Sequence, residues 1–530
     1  MNYKELDTHN YEELQQQYNL GVIASKVLAS KQLSEAQIQD LIFSSATSKT
    51  FDLQFLDPIV KRLQQAKINN EKVMICGDYD CDGICATTIL YDALTRYGIT
   101  CGYYIPDRFK EGYGLHLPTV KSAIEKGYSI LITVDNGVKA TKELQYAKDC
   151  GMCVILSDHH AYDDQDLVYD YFLHPNVLDP FYGQLCGAGL AYLLSKRFVG
   201  NDAYHSVLAC IATIGDMVGV LNANRIIIKE GLQYLNQMQF FSISLLADNQ
   251  SVWDTTKIAF QIVPKINSLG RLADQANVNT FVRYLLIRDI ESLTKVASQI
   301  NQLNDIRKKI SAENERLALK LVNQEQKFIV VHSEVFHEGL NGVVAAKISN
   351  KYNRPVMVLS QQGEILKGSI RSVGIDLRVF FNDIKDELLS YGGHKQAAGI
   401  SLSASVLDAL IDYCQINYDQ YKQEEEQTIL LLQPEEVTIK ELESLSKLEP
   451  FGTDFKKPKF KITEDELEVL TLSNGLHLKF KSPKIEYLYF QHGHLLNELA
   501  NQPLSFIGDL SINEFRNKKS INMIVDDVLK

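Results

Sequence analysis

Short apolar segments alternate with helical patterns in the first third of the chain. The apolar segments are KVMICG, CGYYIP, SILITVD and MCVILSD, and polar residues follow each of them. The helical patterns that separate them are GICATTILYDALTRYG, LPTVKSAIEKG and KATKELQYAKDCG. Strands that alternate with helices in this way predict an α/β fold, with a parallel sheet covered by helices on both faces. Such sheets bind ligands beyond the carboxyl ends of their strands.

Acidic and imidazole side chains cluster at those predicted strand ends. They are Asp78, Asp80 and Asp82 after the first strand, Asp135 after the third, and Asp158, His159 and His160 after the fourth. A helical run, HSVLACIATIGDMV, adds Asp216 near its end. A single Asp-x-Asp is more often a turn or a helix cap. Because several such groups follow successive strands, the pattern predicts a metal site, and its oxygen and nitrogen ligands suit Mn²⁺ or Mg²⁺.

The length and composition indicate a globular protein of several domains. A chain of 530 residues implies roughly three domains, and 45% hydrophobic with 23% charged residues is ordinary for such proteins. No apolar run reaches the length of a membrane span, and the start MNYKELDTHNYEE lacks the features of a signal peptide. We therefore expect a cytoplasmic protein with no membrane partner. The net charge of −12 excludes binding of nucleic acid by bulk positive charge, but not by a local basic groove.

Four motifs identify a family that the chain resembles. GDYDCDG, TVDNGV, SDHH and IATIGDMV, in this order, are similar to the motifs of DHH-superfamily phosphoesterases. PKINSLGRL, HEGLNGVVAAKI, KGSIRSVGIDL and YGGHKQAAG resemble segments of its RecJ family of single-strand-specific 5′-to-3′ exonucleases, and the resemblance covers nearly the whole chain. It implies a two-lobed DHH core, a DHH-associated α/β domain and a C-terminal OB-like β-barrel.

The resemblance implies two divalent metal ions, Mn²⁺ or Mg²⁺, that share Asp135. The ligands of the first are Asp80 and Asp135, and those of the second are Asp82, Asp135, His159 and Asp216. Asp78 would support the site from its edge. An ordinary role as a hydrogen-bonding turn residue is equally expected for it. His160 would face the scissile phosphate. Two metals can generate the nucleophile and neutralise the attacked phosphate, so no serine nucleophile is needed, and no GxSxG motif occurs.

Substrate-binding residues also follow from the resemblance. Arg108, Ser369 and Arg371 would hold the terminal 5′ phosphate, and Arg271 and His394 would steady the scissile phosphate. Gly392 and Gly393 would let the backbone approach the substrate closely. Taken alone, each arginine could be solvated or paired with an acid, and His394 could be structural.

The chain divides into four predicted segments. They are a metal-binding catalytic domain with an N-terminal extension at 1–282, a long connecting helix at 283–325, a DHH-associated domain at 326–422 and an OB-like domain at 428–530. The aromatic residues Phe480, Tyr487, Tyr489, Phe490 and Phe515 lie near basic runs and could stack on bases, or could form the barrel core. Many relatives have the motif PFGxGNPxP where this chain has PFGTDFKKPKF. The change alters the Gly-Asn-Pro turn, so substrate binding or partner docking by this segment is expected to differ.

The metal-site pattern predicts a metal-dependent phosphodiesterase, and the resemblance implies a single-stranded-DNA-specific 5′-to-3′ exonuclease that releases 5′-mononucleotides in DNA recombination and repair. The resemblance suggests single-stranded-DNA-binding protein and a RecQ-type helicase as partners, although no residues of the chain identify them. Alternatives are a short-oligonucleotide or cyclic-dinucleotide phosphodiesterase, a non-catalytic DNA-binding scaffold and, more weakly, an inorganic pyrophosphatase. The predicted barrel argues against a small substrate, and the complete set of metal ligands argues against a scaffold.

Overall fold

The computed structural model describes residues 2–43, 51–162, 164–249, 251–423, 426–500, 502–515 and 518–530. It contains two compact units. The larger unit comprises residues 51–218 and 227–424, and the smaller comprises residues 1–50, 219–226 and 425–530. The described residues 2–43 therefore group with C-terminal residues by their contacts. The predicted domain limits stay predictions.

The smaller unit begins with a short strand and three helices. They are β1 (Asn2–Glu5), α1 (Tyr11–Tyr18), α2 (Val22–Ala29) and α3 (Glu35–Phe43).

The larger unit begins with a parallel sheet, as the alternating pattern predicts. Its strands are β2 (Lys72–Cys76), β3 (Thr100–Tyr104), β4 (Tyr128–Thr133), β5 (Cys153–Ser157) and β6 (Tyr171–Leu173), in the order β3-β2-β4-β5-β6. The helices between and before them are α4 (Asp57–Ile68), α5 (Cys81–Tyr97), α6 (Leu117–Glu125) and α7 (Thr141–Asp149). Leu131 and Val154 pack with Val120 and Leu144 of α6 and α7 in one core, while α5 packs on β2 and β3. All pairs are parallel, so the strands end at the same edge of the sheet.

Helices follow the first sheet and lead to the second. They are α8 (Gly187–Val199), α9 (Ala203–Gly215), α10 (Asn222–Gln237), α11 (Phe241–Ser244), α12 (Thr255–Lys257), α13 (Val263–Arg271), α14 (Asn279–Leu286) and α15 (Ile290–Leu321). Helices α8 and α9 pack against α5. The predicted connecting helix is α15, whose first turn is capped by Asp289 through a hydrogen bond from the Ser292 N–H at 2.8 Å.

The second sheet of the larger unit has mixed strand directions. Its strands are β7 (Ile329–Ser333), β8 (Val356–Gln362), β9 (Ile365–Arg371), β10 (Ser390–Gly393) and β11 (Ala397–Ser403), in the order β10-β11-β9-β8-β7. Its helices are α16 (Asn341–Tyr352), α17 (Leu377–Phe380) and α18 (Leu407–Tyr421). Along β8, Val356 and Val358 belong to one core and Met357 and Leu359 to another. This alternation shows that both faces of the sheet are covered.

The smaller unit continues with an eight-stranded sheet that includes β1. Its further elements are β12 (Glu426–Leu432), α19 (Ile439–Ser446), β13 (Lys459–Glu464), β14 (Glu468–Leu472), β15 (His477–Lys481), β16 (Ile485–Tyr489), α20 (Leu496–Leu499), β17 (Leu504–Phe515) and β18 (Lys518–Leu529). The strand order is β1-β12-β13-β17-β18-β16-β15-β14. Strand β1 pairs in parallel with β12, which explains why residues 1–50 join this unit.

The aromatic residues of this unit are mostly core. Phe480, Tyr487 and Tyr489 are buried, so they pack the sheet and do not present a stacking surface. Phe490 is 45% exposed, and the side chain of Phe515 lies outside the described part of the structure. Within the described residues, every helix is too short or too polar to span a lipid bilayer.

Candidate active site

The acidic turn after β2 is built around the start of α5. Asp80 caps that helix, because its Oδ1 accepts hydrogen bonds from the N–H groups of Asp82 at 2.9 Å and Gly83 at 3.2 Å. A Cβ atom on Gly83 would lie 2.5 Å from the carbonyl oxygen of Asp78. Only glycine therefore lets the turn fold back closely enough to place the aspartates Asp78, Asp80 and Asp82 together.

The start of α8 holds the third aspartate of this turn. Asp82 accepts hydrogen bonds from the N–H groups of Gly187 at 2.6 Å and Ala188 at 2.8 Å. These donors belong to the first turn of a helix, whose partial positive charge favours a carboxylate. A Cβ atom on Gly187 would lie 2.6 Å from the Cβ of Asp135, so α8 can approach the site only with glycine at this position.

Asp135 lies in a strained turn directly after β4. Its φ is 61°, a left-handed value that is uncommon for a residue other than glycine. The neighbouring Asn136 is fully buried and donates to the carbonyls of Cys76 at 3.1 Å and Val134 at 2.9 Å. These bonds tie the turn to the end of β2. A strained backbone conformation that the surrounding hydrogen bonds hold in place is typical of functional sites.

Asp158 orients the two histidines that follow β5. Its carboxylate accepts hydrogen bonds from the N–H groups of Val138 at 3.0 Å, His159 at 2.7 Å and His160 at 3.1 Å. It also lies 2.8 Å from Nδ1 of His160, which fixes that ring with Nδ1 as the donor. Burial alone would raise the pKa of Asp158, but the bonds and charge of His160 and the N–H of Val138 hold it below its usual value. Asp158 is therefore turned toward the protein, and its role is positioning.

The predicted metal ligands converge on one small volume. Nε2 of His159 lies 3.0 Å from Asp135 Oδ1, 3.6 Å from Asp82 Oδ2 and 3.7 Å from Asp216 Oδ2. Three groups each have donor atoms within 4.8 Å of one another: Asp82, His159 and Asp216; Asp78, Asp80 and Asp135; and Asp135, His159 and His160. Asp135 and His159 each belong to two of these groups, and the bridging position of Asp135 stays a prediction. Asp78 lies among the donors beside Asp80, closer than the predicted edge of the site.

The electrostatics of this volume fit a divalent cation. Burial and the charges of neighbouring aspartates raise the pKa of Asp78, Asp80 and Asp135, and raise that of Asp216 to about 9. Burial lowers the pKa of His159, so its imidazole is neutral at pH 7. Asp78 Oδ1, Asp135 Oδ1 and His159 Nε2 are buried and have no hydrogen-bond partner among the described residues. Crowded carboxylates beside a neutral imidazole are a ligand set for Mn²⁺ or Mg²⁺.

Arginines lie beside this ligand set in the same unit. A Cβ on Gly270 would lie 2.6 Å from the carbonyl oxygen of Tyr79, so the end of α13, with Arg271, contacts the acidic turn. Arg108 stacks its guanidinium over the Tyr79 ring at 5.2 Å. Burial lowers the pKa of Arg271 to about 10, and the charges of other arginines, Arg108 and Arg371 among them, contribute to this. No carboxylate of the described residues lies within 4.0 Å of these three guanidinium groups. Guanidinium groups without a carboxylate partner are suited to binding an anion such as a phosphate.

The start of α16 contacts the remaining predicted phosphate ligands. A Cβ on Gly342 would lie 2.9 Å from Arg371 Nη2 and 3.4 Å from Ser369 Oγ. A Cβ on Gly339 would lie 2.0 Å from the Arg271 carbonyl oxygen. Glycine at both positions therefore allows α13, α16 and β9 to meet closely, and this brings Arg271, Ser369 and Arg371 into one region.

The predicted residues of the glycine-rich segment lie on the β10–β11 hairpin. His394 is exposed, and its N–H donates to the Ala397 carbonyl at 2.8 Å. Partial burial and the positive charges of His160 and Lys139 lower the pKa of His394. A Cβ on Gly393 would lie 2.4 Å from the Ala397 oxygen, whereas a Cβ on Gly392 would meet nothing within 4 Å. The close approach at Gly393 is thus toward β11.

Several residues around the site had no assigned role in the sequence analysis. Asn136 and Asp158 stand inside the quoted motifs, so their position was visible, but the direction of their hydrogen bonds was not. Tyr113 lies in the segment IPDRFKEGYGL, which also resembles the family, but no role was predicted for it. Its hydroxyl donates to the Asp135 carbonyl at 3.1 Å and lies 3.2 Å from His160 Nδ1.

Comparisons with known proteins agree with this architecture. The chain matches models of the DHH family N-terminal domain at residues 72–215, the DHHA1 domain at 325–415 and the RecJ OB domain at 430–527. It is 29% identical to the single-stranded-DNA-specific exonuclease RecJ of Bacillus subtilis over 98% of this chain and 70% of that protein.

Among the solved structures that are similar to the chain, two are RecJ proteins with bound manganese. RecJ of Thermus thermophilus in complex with Mn²⁺ has a TM-score of 0.85 at 24% identity, over 100% of this chain and 79% of that one, which shows the shared fold. An exonuclease RecJ bound to manganese has a TM-score of 0.61 at 28% identity, over 70% of this chain and 96% of that one. With DHH, DHHA1 and RecJ OB domains in one chain and with its converging acidic and histidine motifs, the chain is similar to the RecJ exonucleases along nearly its whole length.

Proposed function

We propose that this chain is a single-stranded-DNA-specific exonuclease that works from the 5′ end toward the 3′ end and releases 5′-mononucleotides in DNA recombination and repair. The observation that carries the proposal is the contact between the acidic turn and the end of α13, which places an unpaired arginine cluster directly beside the metal-ligand set. The similarity to proteins named single-stranded-DNA-specific exonuclease supports the substrate.

Two divalent cations, Mn²⁺ or Mg²⁺, fit the donor groups. We assign Asp80 and Asp135 to one cation and Asp82, Asp135, His159 and Asp216 to the other, with Asp78 as a further donor beside Asp80. Bound there, the cations would supply a water-derived nucleophile at neutral pH and charge stabilisation for the attacked phosphate. The two solved relatives were crystallised with manganese, which supports the choice of metal.

The protein side chains around the cations position the substrate. Asp158 holds Nδ1 of His160, so Nε2 is the nitrogen left for the scissile phosphate. Arg108, Ser369 and Arg371 hold the terminal 5′ phosphate, while Arg271 and His394 hold the scissile one. A strand whose end is fixed in the same cleft as the metal ligands is cut at a fixed distance from that end. This arrangement accounts for the release of one nucleotide at a time.

The alternative functions have less support. A phosphodiesterase of short oligonucleotides or cyclic dinucleotides has no use for an OB domain, whereas this chain matches the RecJ OB domain. A non-catalytic scaffold has no need for a complete ligand set. Single-stranded-DNA-binding protein and a RecQ-type helicase stay predicted partners. A DNA substrate favours the cytoplasm as the location.

The test is digestion of single-stranded oligonucleotides labelled at either end, with Mn²⁺ present. We expect mononucleotides from the 5′ label first, no digestion of blunt duplex, and loss of activity in Asp135→Asn. Asp149→Asn, on the exposed end of α7, is the matched control. Early release from the 3′ label, or cleavage restricted to dinucleotides, would contradict the proposal. Tight binding without cleavage would favour the scaffold.

A further inference from the structure

Tyr113 lies between two glycines at which the backbone is not packed. Gly112 and Gly114 have φ values of 90° and 88°, and a Cβ atom on either would meet nothing within 4 Å. Glycine adopts such left-handed values without strain. Tyr113 itself is 44% exposed. Because little packing holds the backbone at these two positions, the contacts of the Tyr113 side chain determine where its ring lies.

The hydroxyl of Tyr113 connects the turns that follow two neighbouring strands. It donates to the carbonyl of Asp135 at 3.1 Å, and no other described residue donates to that carbonyl. The hydroxyl oxygen also lies 3.2 Å from Nδ1 of His160, so it can accept a share of the N–H that Asp158 binds at 2.8 Å. One oxygen therefore contacts both the turn after β4 and the turn after β5.

The ring of Tyr113 reaches a third turn. It makes an edge-to-face contact with the ring of His160 at a centroid distance of 5.7 Å, and another with the ring of Tyr79 at 6.3 Å. Tyr79 stands between Asp78 and Asp80 in the acidic turn after β2. A single side chain thus contacts all three strand-end turns that carry candidate metal ligands.

The bond to the Asp135 carbonyl acts on a strained residue. The φ of 61° at Asp135 is disfavoured for a residue with a Cβ atom, so this conformation persists only where surrounding contacts hold it. Asn136 ties the neighbouring backbone to Cys76 and Val134, whereas the peptide carbonyl of Asp135 itself is held by Tyr113. Without the hydroxyl, this peptide can rotate toward a less strained conformation, and the rotation moves the Asp135 carboxylate.

We propose that Tyr113 is a positioning residue that holds Asp135 in its metal-binding conformation and keeps His160 aligned with it. Tyr113 acts through Asp135 and makes no bond of its own to a cation. The inference rests on the proposed function, which assigns Asp135 to both cations. Loss of a group that orients a metal ligand typically lowers metal affinity or activity by about 10- to 100-fold.

The experiment removes the hydroxyl and keeps the ring. Isothermal titration of Mn²⁺ without DNA should show binding to Tyr113→Phe that is weaker by about tenfold or more. At a Mn²⁺ concentration that half-saturates wild type, kcat of the variant on a single-stranded oligonucleotide should fall by a similar factor, with KM for the strand unchanged. Excess Mn²⁺ should restore most of kcat, which a general structural defect would not allow. Tyr113→Ala, which also loses the ring contacts, should bind Mn²⁺ at least as weakly.

Tyr169→Phe is the matched control. Tyr169 is 41% exposed and lies two residues before β6, at the edge of the first sheet opposite to the candidate ligands. It should keep the wild-type Mn²⁺ affinity and kcat. Thermal unfolding in EDTA verifies that each variant is folded.

Mn²⁺ affinity of Tyr113→Phe equal to that of wild type would overturn the inference. Unchanged affinity with a raised KM would do the same, because Tyr113 would then contact the strand. If wild type bound Mn²⁺ but digested no oligonucleotide, the proposed activity would fail, and weaker Mn²⁺ binding by Tyr113→Phe would still support the role of Tyr113.

Discussion

Nε2 of His159 lies 3.0 Å from Oδ1 of Asp135, yet neither atom makes a hydrogen bond to any residue that the structure describes. Burial lowers the pKa of His159, so the ring is neutral at pH 7 and can direct a lone pair at the carboxylate. When Nε2 is unprotonated and Asp135 is ionised, the two atoms repel each other at this separation unless a cation binds both. The pair therefore indicates that the folded protein is arranged for a bound metal at the cost of its metal-free stability.

Metal-free stability should increase when one of these charges is removed. Burial raises the pKa of Asp135, which means that the folded protein disfavours its ionised form. Asp135→Asn removes that charge, so we expect a higher Tm than wild type in EDTA. Mn²⁺ should raise the Tm of wild type by mass action and raise that of the variant much less. Differential scanning fluorimetry at pH 7 measures both shifts.

Asp149→Asn is the control for this metal experiment, because Asp149 is exposed on α7, away from the acidic turn. It should show the wild-type Tm in EDTA and the wild-type response to Mn²⁺. Equal responses of Asp135→Asn and wild type to Mn²⁺ would show that Asp135 is not a ligand.

A second buried network should make stability depend on pH. Asp92 lies 3.0 Å from His205 Nε2, 3.0 Å from Arg96 Nη1 and 3.1 Å from Arg288 Nη2. Burial opposes ionisation of Asp92, but these partners lower its pKa to about 2. Because the folded pKa is below the ordinary value of about 3.9, the network stabilises the fold above that value. Its contribution is lost as the pH falls toward 2.

Asp92→Asn should therefore lower the stability at pH 7 by roughly 1–3 kcal/mol. The difference from wild type should shrink below about pH 4, where the unfolded chain also protonates Asp92. Urea unfolding at a series of pH values, followed by circular dichroism, measures it. Asp305→Asn, on an exposed face of α15, should show no such difference. If the difference in unfolding free energy between wild type and Asp92→Asn were constant with pH, the charge of Asp92 would not contribute to stability.

The topology explains why part of the site was predictable. Parallel strands end at one edge, so aspartates after β2 and β4 and histidines after β5 had to meet, and the sequence order alone indicated it. The directions of side-chain hydrogen bonds were not predictable, so the sequence placed Asp158 among the clustered acids without showing that it turns toward the protein. Arg307 stands in the charged run RKK of a long helix, where a solvated face is the ordinary interpretation. Only the packing of α15 against α13 shows which of these three cations is turned inward.

The N-terminal segment was harder to place because β1 has only four residues. Its pairing with β12 joins positions more than 400 residues apart, as in Tyr3 opposite Gln427. No local sequence pattern predicts such a partner, because a short strand can form the same backbone hydrogen bonds with the edge strand of any sheet.

The altered segment PFGTDFKKPKF should contribute to stability through Asp454. Asp454 accepts hydrogen bonds from the N–H groups of Val220 at 2.7 Å and Leu221 at 3.4 Å, within the smaller unit. Arg225 reinforces this contact by donating to the carbonyls of Leu448 at 2.9 Å and Glu449 at 2.7 Å. Asp454→Ala leaves two backbone donors without an acceptor, so we expect a loss of about 1–3 kcal/mol. Thermal unfolding measures it.

Asp465→Ala is the matched control for Asp454, since Asp465 is an exposed acidic residue in a turn of the same unit. It should leave the Tm unchanged. A Tm of Asp454→Ala equal to that of the control would show that the altered turn does not hold residues 219–221.

Phe490 is the aromatic residue of the OB domain that we expect to contact DNA. It is 45% exposed beside the ring of His477, at a centroid distance of 5.2 Å, whereas Phe480 and Tyr487 are fully buried. Stacking of a base on an aromatic ring contributes about 1–3 kcal/mol, so Phe490→Ala should weaken binding of a long single strand by at least about fivefold. Fluorescence anisotropy in EDTA measures it. Leu470→Ala, which removes another exposed apolar side chain of this sheet, should bind normally, and equal affinities for both variants would place the strand elsewhere.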